Sequence, residues 1–128
     1  MNPPDLKYSK EHEWVRVEAE GVGVVGITEF AADNLGDVVF VELPESGVQL
    51  SQNEKMGEIE SVKTVSDLFV PIGGRVLERN ELVVERPELV NDRPYDSGWM
   101  VKLAIGDPAD LDKLMTSDQY EAFLASQA

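Results

Sequence analysis

Lys63 is the residue of this chain best placed to do chemistry. It stands between two short apolar segments in residues 59–68, which read IESVKTVSDL. Its neighbours Ser61 and Thr64 are small or polar, as suits the tip of a tight hairpin, and a lysine on such a tip can serve as a handle for covalent attachment. The same spacing is also that of an ordinary surface lysine among acids. Spacing alone leaves both interpretations open.

Carboxylates lie on both sides of Lys63. Glu58 and Glu60 precede it, and Asp67 follows it. We expect these three side chains to surround the amine. Glu58 and Glu60 would then give a modifying enzyme a charged landmark to recognise.

The rest of the composition narrows the possible chemistry. The chain has no cysteine, so thiolate catalysis, disulfides and thiol metal sites are absent. Its one histidine, His12, argues against both a zinc site and a Ser-His-Asp triad. No glycine-rich phosphate loop is found, so an enzyme that uses carboxylates alone is the catalytic alternative that stays open. A lone histidine is typical of packing or hydrogen bonding, although His12 could also tune charge near neutral pH.

The charge balance bears on the possible partners. Acidic residues outnumber basic ones 25 to 11, which gives a formal net charge of -14. Such a surface repels phosphate backbones and anionic membranes, so we expect neither nucleic acid nor membrane as a partner. The acidic excess can serve solubility or can steer the protein towards basic partner surfaces, and the sequence does not separate the two.

Length and the first residues suggest the organisation of the chain. We expect 128 residues to form one domain, 1–128, with one modest core, and to remain a monomer. The longest apolar runs, such as residues 38–41, are too short to span a bilayer. Residues 1–5 do not read as a targeting segment, which predicts a cytoplasmic protein, or one of the mitochondrial matrix if a presequence has been removed.

The first elements read as a hairpin followed by a short helix. Residues 13–19 alternate in polarity, and residues 22–27 follow them after a turn at Gly21, which predicts two antiparallel strands. Thr28 is a suitable N-cap, and Gly36 can end the helix that follows it.

A short sequence pattern is repeated on the two sides of Lys63. Strands predicted over residues 38–43 and 68–70 are each stopped by the same pattern, Pro-x-x-Gly, at residues 44–47 and 71–74. This repeat predicts two similar strand-turn units packed face to face, as in a small sandwich or flattened barrel.

The carboxyl-terminal part reads as a strand followed by helical segments. Residues 99–105 alternate as a core strand should, and Asp107 is an N-cap before a proline. Ser117 starts a final helix. Residues 81–94 predict a long acidic loop with one helical turn near residues 81–85.

Five stretches, in order and over most of the chain, resemble the glycine cleavage system H protein family. They are SKEHEWV at residues 9–15, VGIT at 25–28, LGDVVFVELPESG at 35–47, GEIESVKTVSDL at 57–68 and PELVNDRPYDSGWM at 87–100. Five ordered motifs are a far more specific signal than a single lysine on a turn.

The resemblance implies a fold and a function. The fold would be mainly β (α+β), the hammerhead or barrel-sandwich hybrid of lipoyl and biotinyl carriers, with short helices in the amino-terminal third and at the carboxyl terminus. Lys63 would carry lipoate through an amide bond, and the chain would be a carrier and not an enzyme. It would shuttle the methylamine group of glycine from the decarboxylase (P protein) to the aminomethyltransferase (T protein) and be reoxidised by dihydrolipoyl dehydrogenase (L protein). Lipoate-attaching enzymes would be further partners.

The resemblance also implies a cleft in which the loaded arm rests. Its polar positions map to Glu11, Glu13, Asn34 and Asp67, and its apolar wall maps to Ile27 and Leu35. Family members vary at the positions of Glu11 and Asn34. Glu13 and Asp67 could accept charge-assisted hydrogen bonds from an ammonium group. The alternative for Glu13 is a side chain that faces solvent on an edge strand.

Other functions compete with this one. A lipoyl domain of a 2-oxoacid dehydrogenase would have aspartate where Val62 stands, and a biotin carrier would have methionine at both Val62 and Thr64. A lipoyl-relay donor for 2-oxoacid dehydrogenase complexes and a non-carrier β-rich interaction module are the remaining alternatives.

Overall fold

The computed structural model describes residues 2–127 and contains nine strands and four α-helices within that range. The elements are β1 (Lys7–Tyr8), β2 (Glu13–Glu18), β3 (Val22–Ile27), α1 (Glu29–Leu35), β4 (Val38–Glu42), β5 (Gln49–Leu50), β6 (Lys55–Ser61), β7 (Val65–Phe69), β8 (Gly74–Arg79), α2 (Glu81–Glu85), α3 (Leu89–Asp92), β9 (Val101–Ile105) and α4 (Ser117–Ser126). Two 3-10 helices, Ala19–Gly21 and Pro108–Lys113, complete the chain. No helix within residues 2–127 is both long and apolar enough to cross a membrane.

Two antiparallel sheets form the body of the molecule. The larger has the strand order β1-β2-β3-β9-β8-β5, and the smaller has the order β4-β6-β7. Side chains from both enclose the main core, for example Val25 and Leu103 from the larger sheet and Val41 and Ile59 from the smaller. This arrangement confirms the predicted mainly β fold with short helices added to it.

A second core lies under the carboxyl-terminal helix. Successive residues of a strand point to opposite faces, so Val15 enters the main core while Trp14 enters this one. There Tyr8 stacks on Tyr120 of α4 with ring centroids 4.8 Å apart. Trp14 is fully buried, and its indole nitrogen donates to the carbonyl oxygens of Ile27 and Pro94 at 2.9 and 3.0 Å. Trp14 is therefore a packing residue, and α4 is part of the folded body.

The predicted helix caps are present. The Thr28 hydroxyl accepts a hydrogen bond from the backbone of Ala31, and Gly36 ends α1 with φ of 80°. The helix predicted from Ser117 begins there, with Thr116 as its N-cap. These local signals are correct because capping chemistry depends on residues only a few positions apart.

The strands around the two Pro-x-x-Gly turns are arranged differently from the prediction. The strands that precede the two turns, β4 and β7, lie on the two sides of β6 in the smaller sheet, and not face to face. The strands that follow the turns, β5 and β8, pair with each other in the larger sheet. Both turns thus carry the chain from the smaller sheet to the larger.

Residues 81–94 are more helical than predicted. The predicted turn is α2, Glu81–Glu85, and a second short helix, α3, follows at Leu89–Asp92. In this segment α2 contacts β4, and α3 contacts α1.

Candidate functional site

Lys63 lies on the turn between β6 and β7, as predicted. The Ser61 amide donates to the Thr64 carbonyl at 2.8 Å, which closes the turn. The Ser61 hydroxyl oxygen accepts from the amides of Lys63 and Thr64, both at 3.2 Å. Three hydrogen bonds therefore hold the turn backbone while the Lys63 side chain is exposed. A serine at this position explains how so short a turn is kept rigid.

The junction between α1 and β4 supports this turn from below. The Val62 amide donates to the carbonyl of Asp37 at 3.0 Å. Gly36 lies beneath the lysine, so that a Cβ atom at this glycine would be 3.3 Å from Lys63 Cε. Its backbone (φ 80°, ψ -159°) is in a region that only glycine adopts without strain. Glycine here both ends the helix and leaves room for the lysine stem.

Asn91 of α3 fastens the same junction. Its Nδ2 donates to the Gly36 carbonyl at 2.8 Å, and its Oδ1 accepts from the Val38 amide at 2.9 Å. The sequence analysis did not single out Asn91. The only available signal was its place in the fifth matching stretch, since these two bonds join residues more than 50 positions apart.

The carboxylates near Lys63 do not surround its amine, contrary to expectation. Glu58 and Asp67 are cross-strand partners, and both bind the ammonium of Lys55, at 2.8 and 3.2 Å. Glu58 lies three residues inside β6, roughly 10 Å from its end at about 3.3 Å per residue. Glu60 is nearer the turn and exposed. Within residues 2–127, the Lys63 ammonium has no hydrogen bond or ion pair.

A cleft with a volume of about 300 Å³ opens beside the lysine turn. It brings together all six residues expected to line it: Glu11, Glu13, Ile27, Asn34, Leu35 and Asp67. The turn residue Thr64 and the β7 residue Ser66 also line this cleft, so it borders the Lys63 hairpin directly.

Glu13 is a buried carboxyl in the wall of the cleft. Its side chain is 2% exposed, so it does not face solvent. The Ser9 hydroxyl donates to its Oε1 at 2.8 Å, and the Phe69 amide donates to its Oε2 at 3.3 Å. Burial outweighs these bonds and raises the pKa of Glu13 to about 8. The carboxyl therefore keeps its proton to a higher pH than an exposed glutamate does.

Ser9 allows Glu13 to exist in either protonation state. The Ser9 oxygen accepts from the Glu13 backbone amide at 3.1 Å, and its hydroxyl hydrogen can rotate. The hydroxyl donates to an ionised Glu13, and it can accept from a protonated one. Both forms are then satisfied without movement of the backbone. Sequence reasoning did not find Ser9, because its role depends on the fold of the β1–β2 connection.

His12 joins the cleft to the carboxyl-terminal helix. Its Nδ1 is 2.7 Å from the Tyr120 hydroxyl, which is 2.8 Å from the Thr28 hydroxyl. Burial lowers the pKa of His12 and raises that of Tyr120 to about 12, so both are neutral at pH 7. His12 is therefore a hydrogen-bonding residue that ties the α1 cap to α4.

Comparison with known proteins gives one consistent family. Residues 6–127 match the model of the glycine cleavage H-protein family. A glycine cleavage system H protein of Symbiobacterium thermophilum is 59% identical over 94% of both chains, and one of Geobacillus kaustophilus is 53% identical over 97% of this chain and 98% of its own.

A solved structure supports the same assignment. The crystal structure of a glycine cleavage system H protein from Mycobacterium marinum superposes with a TM-score of 0.86 at 37% identity, and covers 96% of this chain and 98% of its own. Sequence and architecture thus agree over nearly the full length. The chain belongs to the glycine cleavage system H protein family.

Proposed function

We propose that Lys63 is the residue to which the lipoyl group of this carrier is attached. As a member of the family, the chain is a lipoyl carrier of the glycine cleavage system and has no catalytic activity of its own. The observation that supports Lys63 is its exposed ammonium, free of protein partners within residues 2–127, on a turn whose backbone is held by three hydrogen bonds. Attachment needs an accessible amine at a defined position, and Lys63 supplies both.

Lysine contacts elsewhere favour Lys63 over two alternatives. The ammonium of Lys55 is held by Glu58 and Asp67, and that of Lys102 lies over the Trp99 ring at 5.0 Å from its centroid. Lipoate, once attached, supplies a disulfide and dithiol pair that accepts and releases the methylamine group. The protein supplies the position of that pair and its protection from water.

We further propose that the cleft receives the cationic end of the loaded arm. Ile27 and Leu35 offer an apolar wall, while Glu13 and Asp67 offer carboxyl groups. A cation beside Glu13 favours its ionised form, so the buried carboxyl loses its proton as the cation enters. The Ser9 hydroxyl then donates to the carboxylate. Asp67 is exposed and is already bound to the Lys55 ammonium. It would either bind the arm's cation together with Lys55 or release Lys55 to bind that cation.

Membership of the family supports the proposed partners and location. The P, T and L proteins of the glycine cleavage system are its partners in the reaction cycle, and we propose that a lipoate-attaching enzyme is another. We propose that the protein works as a one-domain monomer in the cytoplasm of a bacterium, in line with its bacterial relatives. The alternative role as a lipoyl-relay donor would use the lipoyl group on the same lysine, in addition to the carrier role. The family assignment excludes a non-carrier module.

Intact-mass spectrometry of the protein purified from its own host tests the attachment site. We expect one amide-linked lipoyl group, lost in Lys63→Arg, because arginine keeps the charge but not the reactive amine. Lys55→Arg is the matched control and should keep the modification. An unmodified native protein, or a lipoyl group that persists in Lys63→Arg, would refute the proposal.

A further inference from the structure

We propose that the outer face of the smaller sheet is the surface on which the lipoate-attaching enzyme docks, and that the enzyme meets it with an apolar groove bordered by basic residues. The proposal rests on Lys63 as the attachment site. We call this face, formed by Phe40, Glu42, Glu58, Glu60, Val65 and Asp67, the hairpin face.

Apolar side chains are exposed at the end of the hairpin face nearest Lys63. Phe40 is 50% exposed and Val65 57% exposed, and the strand register places them on either side of Glu60. Val62, next to Lys63 on the turn, is 70% exposed. Cross-strand partners share a face of the sheet, so Phe40, Glu60 and Val65 form one row. Clustered exposed apolar groups mark sites of interaction.

Acidic groups form the next row of the hairpin face. Glu42 and Asp67 are the partners of Glu58 on its two sides. Lys55 neutralises part of this row by binding both Glu58 and Asp67. The hairpin face as a whole is therefore acidic with an apolar end, and the complementary surface is basic with an apolar groove.

The chemistry of attachment selects the enzyme among the partners. The Lys63 amine must attack the carbonyl carbon of an activated lipoyl group, such as an acyl anhydride or thioester. The new carbon-nitrogen bond forms as the bond to the activating group breaks, and the nitrogen gives its proton to a base on the enzyme. The amine lies one side chain away from the turn, so the strands beside it must touch the enzyme.

Partners that act on the finished arm have no such requirement. They meet reactive sulfurs at the far end of the lysine and lipoyl chain, whether this end rests in the cleft or extends into solvent, and so they need not touch the outer face of the smaller sheet. The rigidity of the hairpin face suits the attachment step, because its inner side is packed in the main core through Val41 and Ile59, and Asp37 holds the turn. A preformed surface loses little entropy on docking.

Lipoylation kinetics of the unmodified protein test this proposal. Phe40→Ser and Val65→Thr are incubated with a lipoate-protein ligase, lipoate and ATP, and product is measured by intact mass. We expect kcat/KM to fall roughly tenfold, through KM, as for loss of a central apolar contact. The dissociation constant of the unmodified protein from the ligase should rise by a similar factor. Val17→Ser, at a residue 50% exposed on the larger sheet, is the control and should match the wild type.

Three results would overturn the docking proposal. One is an unchanged kcat/KM in Val65→Thr, which keeps the β-branched shape and so the strand. Another is an equal loss in Val17→Ser. The third is an equal loss when chemically lipoylated variants are assayed with glycine decarboxylase, which would mean a surface common to all partners. A wild-type protein that accepts no lipoyl group at Lys63 would instead refute the proposed function itself.

Discussion

Glu13 and Asp67 line the same cleft, but their surroundings give them different charge states. Glu13 is buried, and burial raises its pKa to about 8. Asp67 is exposed and bound to Lys55 at 3.2 Å. The cleft therefore presents one buried carboxyl that is held protonated to high pH and one exposed carboxylate that is paired with a lysine. In the proposed loaded state, a cation beside Glu13 would favour loss of its proton, so the buried carboxyl would become negatively charged.

The raised pKa of Glu13 predicts a loss of stability with rising pH. The folded state binds this proton more tightly than the unfolded state, whose carboxyl has the ordinary pKa of 4.5. The contribution is fully present below pH 4.5 and is lost as pH rises to about 8, by at most about 1.4 kcal/mol per pH unit. Glu13→Gln mimics the neutral form, so we expect it to match the wild type near pH 5 and to exceed it at pH 8.

Urea unfolding at several pH values from 5 to 9 measures this difference. Glu60→Gln is the matched control, since Glu60 is an exposed glutamate outside the cleft. Its stability should follow that of the wild type. Parallel pH profiles for Glu13→Gln and the wild type would contradict the buried, protonated state of Glu13.

Single residues differ in how far the sequence predicts them. Lys63 could be placed on a turn because strand signals lie on both sides of it. The burial of Glu13 could not be predicted, because the Phe69 amide that contacts it is 56 residues away. The pairing of Lys55 with Asp67 depends on the register of β6 and β7, which short apolar segments do not specify.

At the scale of elements, three parts of the chain hold the lysine turn in place. The β6–β7 hairpin supplies the turn, the α1–β4 junction supports it through Asp37, and α3 fastens that junction through Asn91. The turn is therefore braced by elements that are far apart in sequence. We therefore expect a substitution in the α1–β4 junction to affect Lys63.

Gly36→Ala tests this connection. The alanine would adopt a backbone conformation that costs about 1–3 kcal/mol, and its Cβ would be 3.3 Å from Lys63 Cε. We expect lower stability in urea and slower lipoylation. Gly47→Ala is the control, because Gly47 also has positive φ, 92°, but a Cβ there meets nothing within 4 Å. Gly47→Ala should lower the stability without slowing lipoylation. Slower lipoylation in both variants would contradict a specific link between the α1–β4 junction and Lys63.

Local signals predicted some elements well and others not at all. The first hairpin, the caps of α1 and the start of α4 follow from alternation and capping residues. The two-residue strands β1 and β5 and the four-residue helix α3 are too short to show any period. The Pro-x-x-Gly turns were recognised, but the pairing of β4 and β7 with β6 depends on long-range contacts.

At the scale of the whole molecule, the net charge of -14 should govern encounter with partners. An acidic surface is steered towards basic ones, and salt screens such attraction beyond about 10 Å at 0.1 M. We expect the association rate with glycine decarboxylase, measured by stopped flow, to fall as potassium chloride rises. Sucrose at equal osmolality is the control and should have little effect beyond viscosity. A rate that does not depend on salt would leave solubility as the role of the acidic excess.

The buried carboxyl of the cleft also bears on how partners could tell a full carrier from an empty one. In the proposed loaded state, the cation beside Glu13 adds one positive charge, and the proton that Glu13 releases removes one. The net charge of the molecule is then nearly the same before and after loading. Long-range attraction cannot report the state of the cargo, so a partner must read it from contact, through the shape of the occupied cleft and the position of the arm.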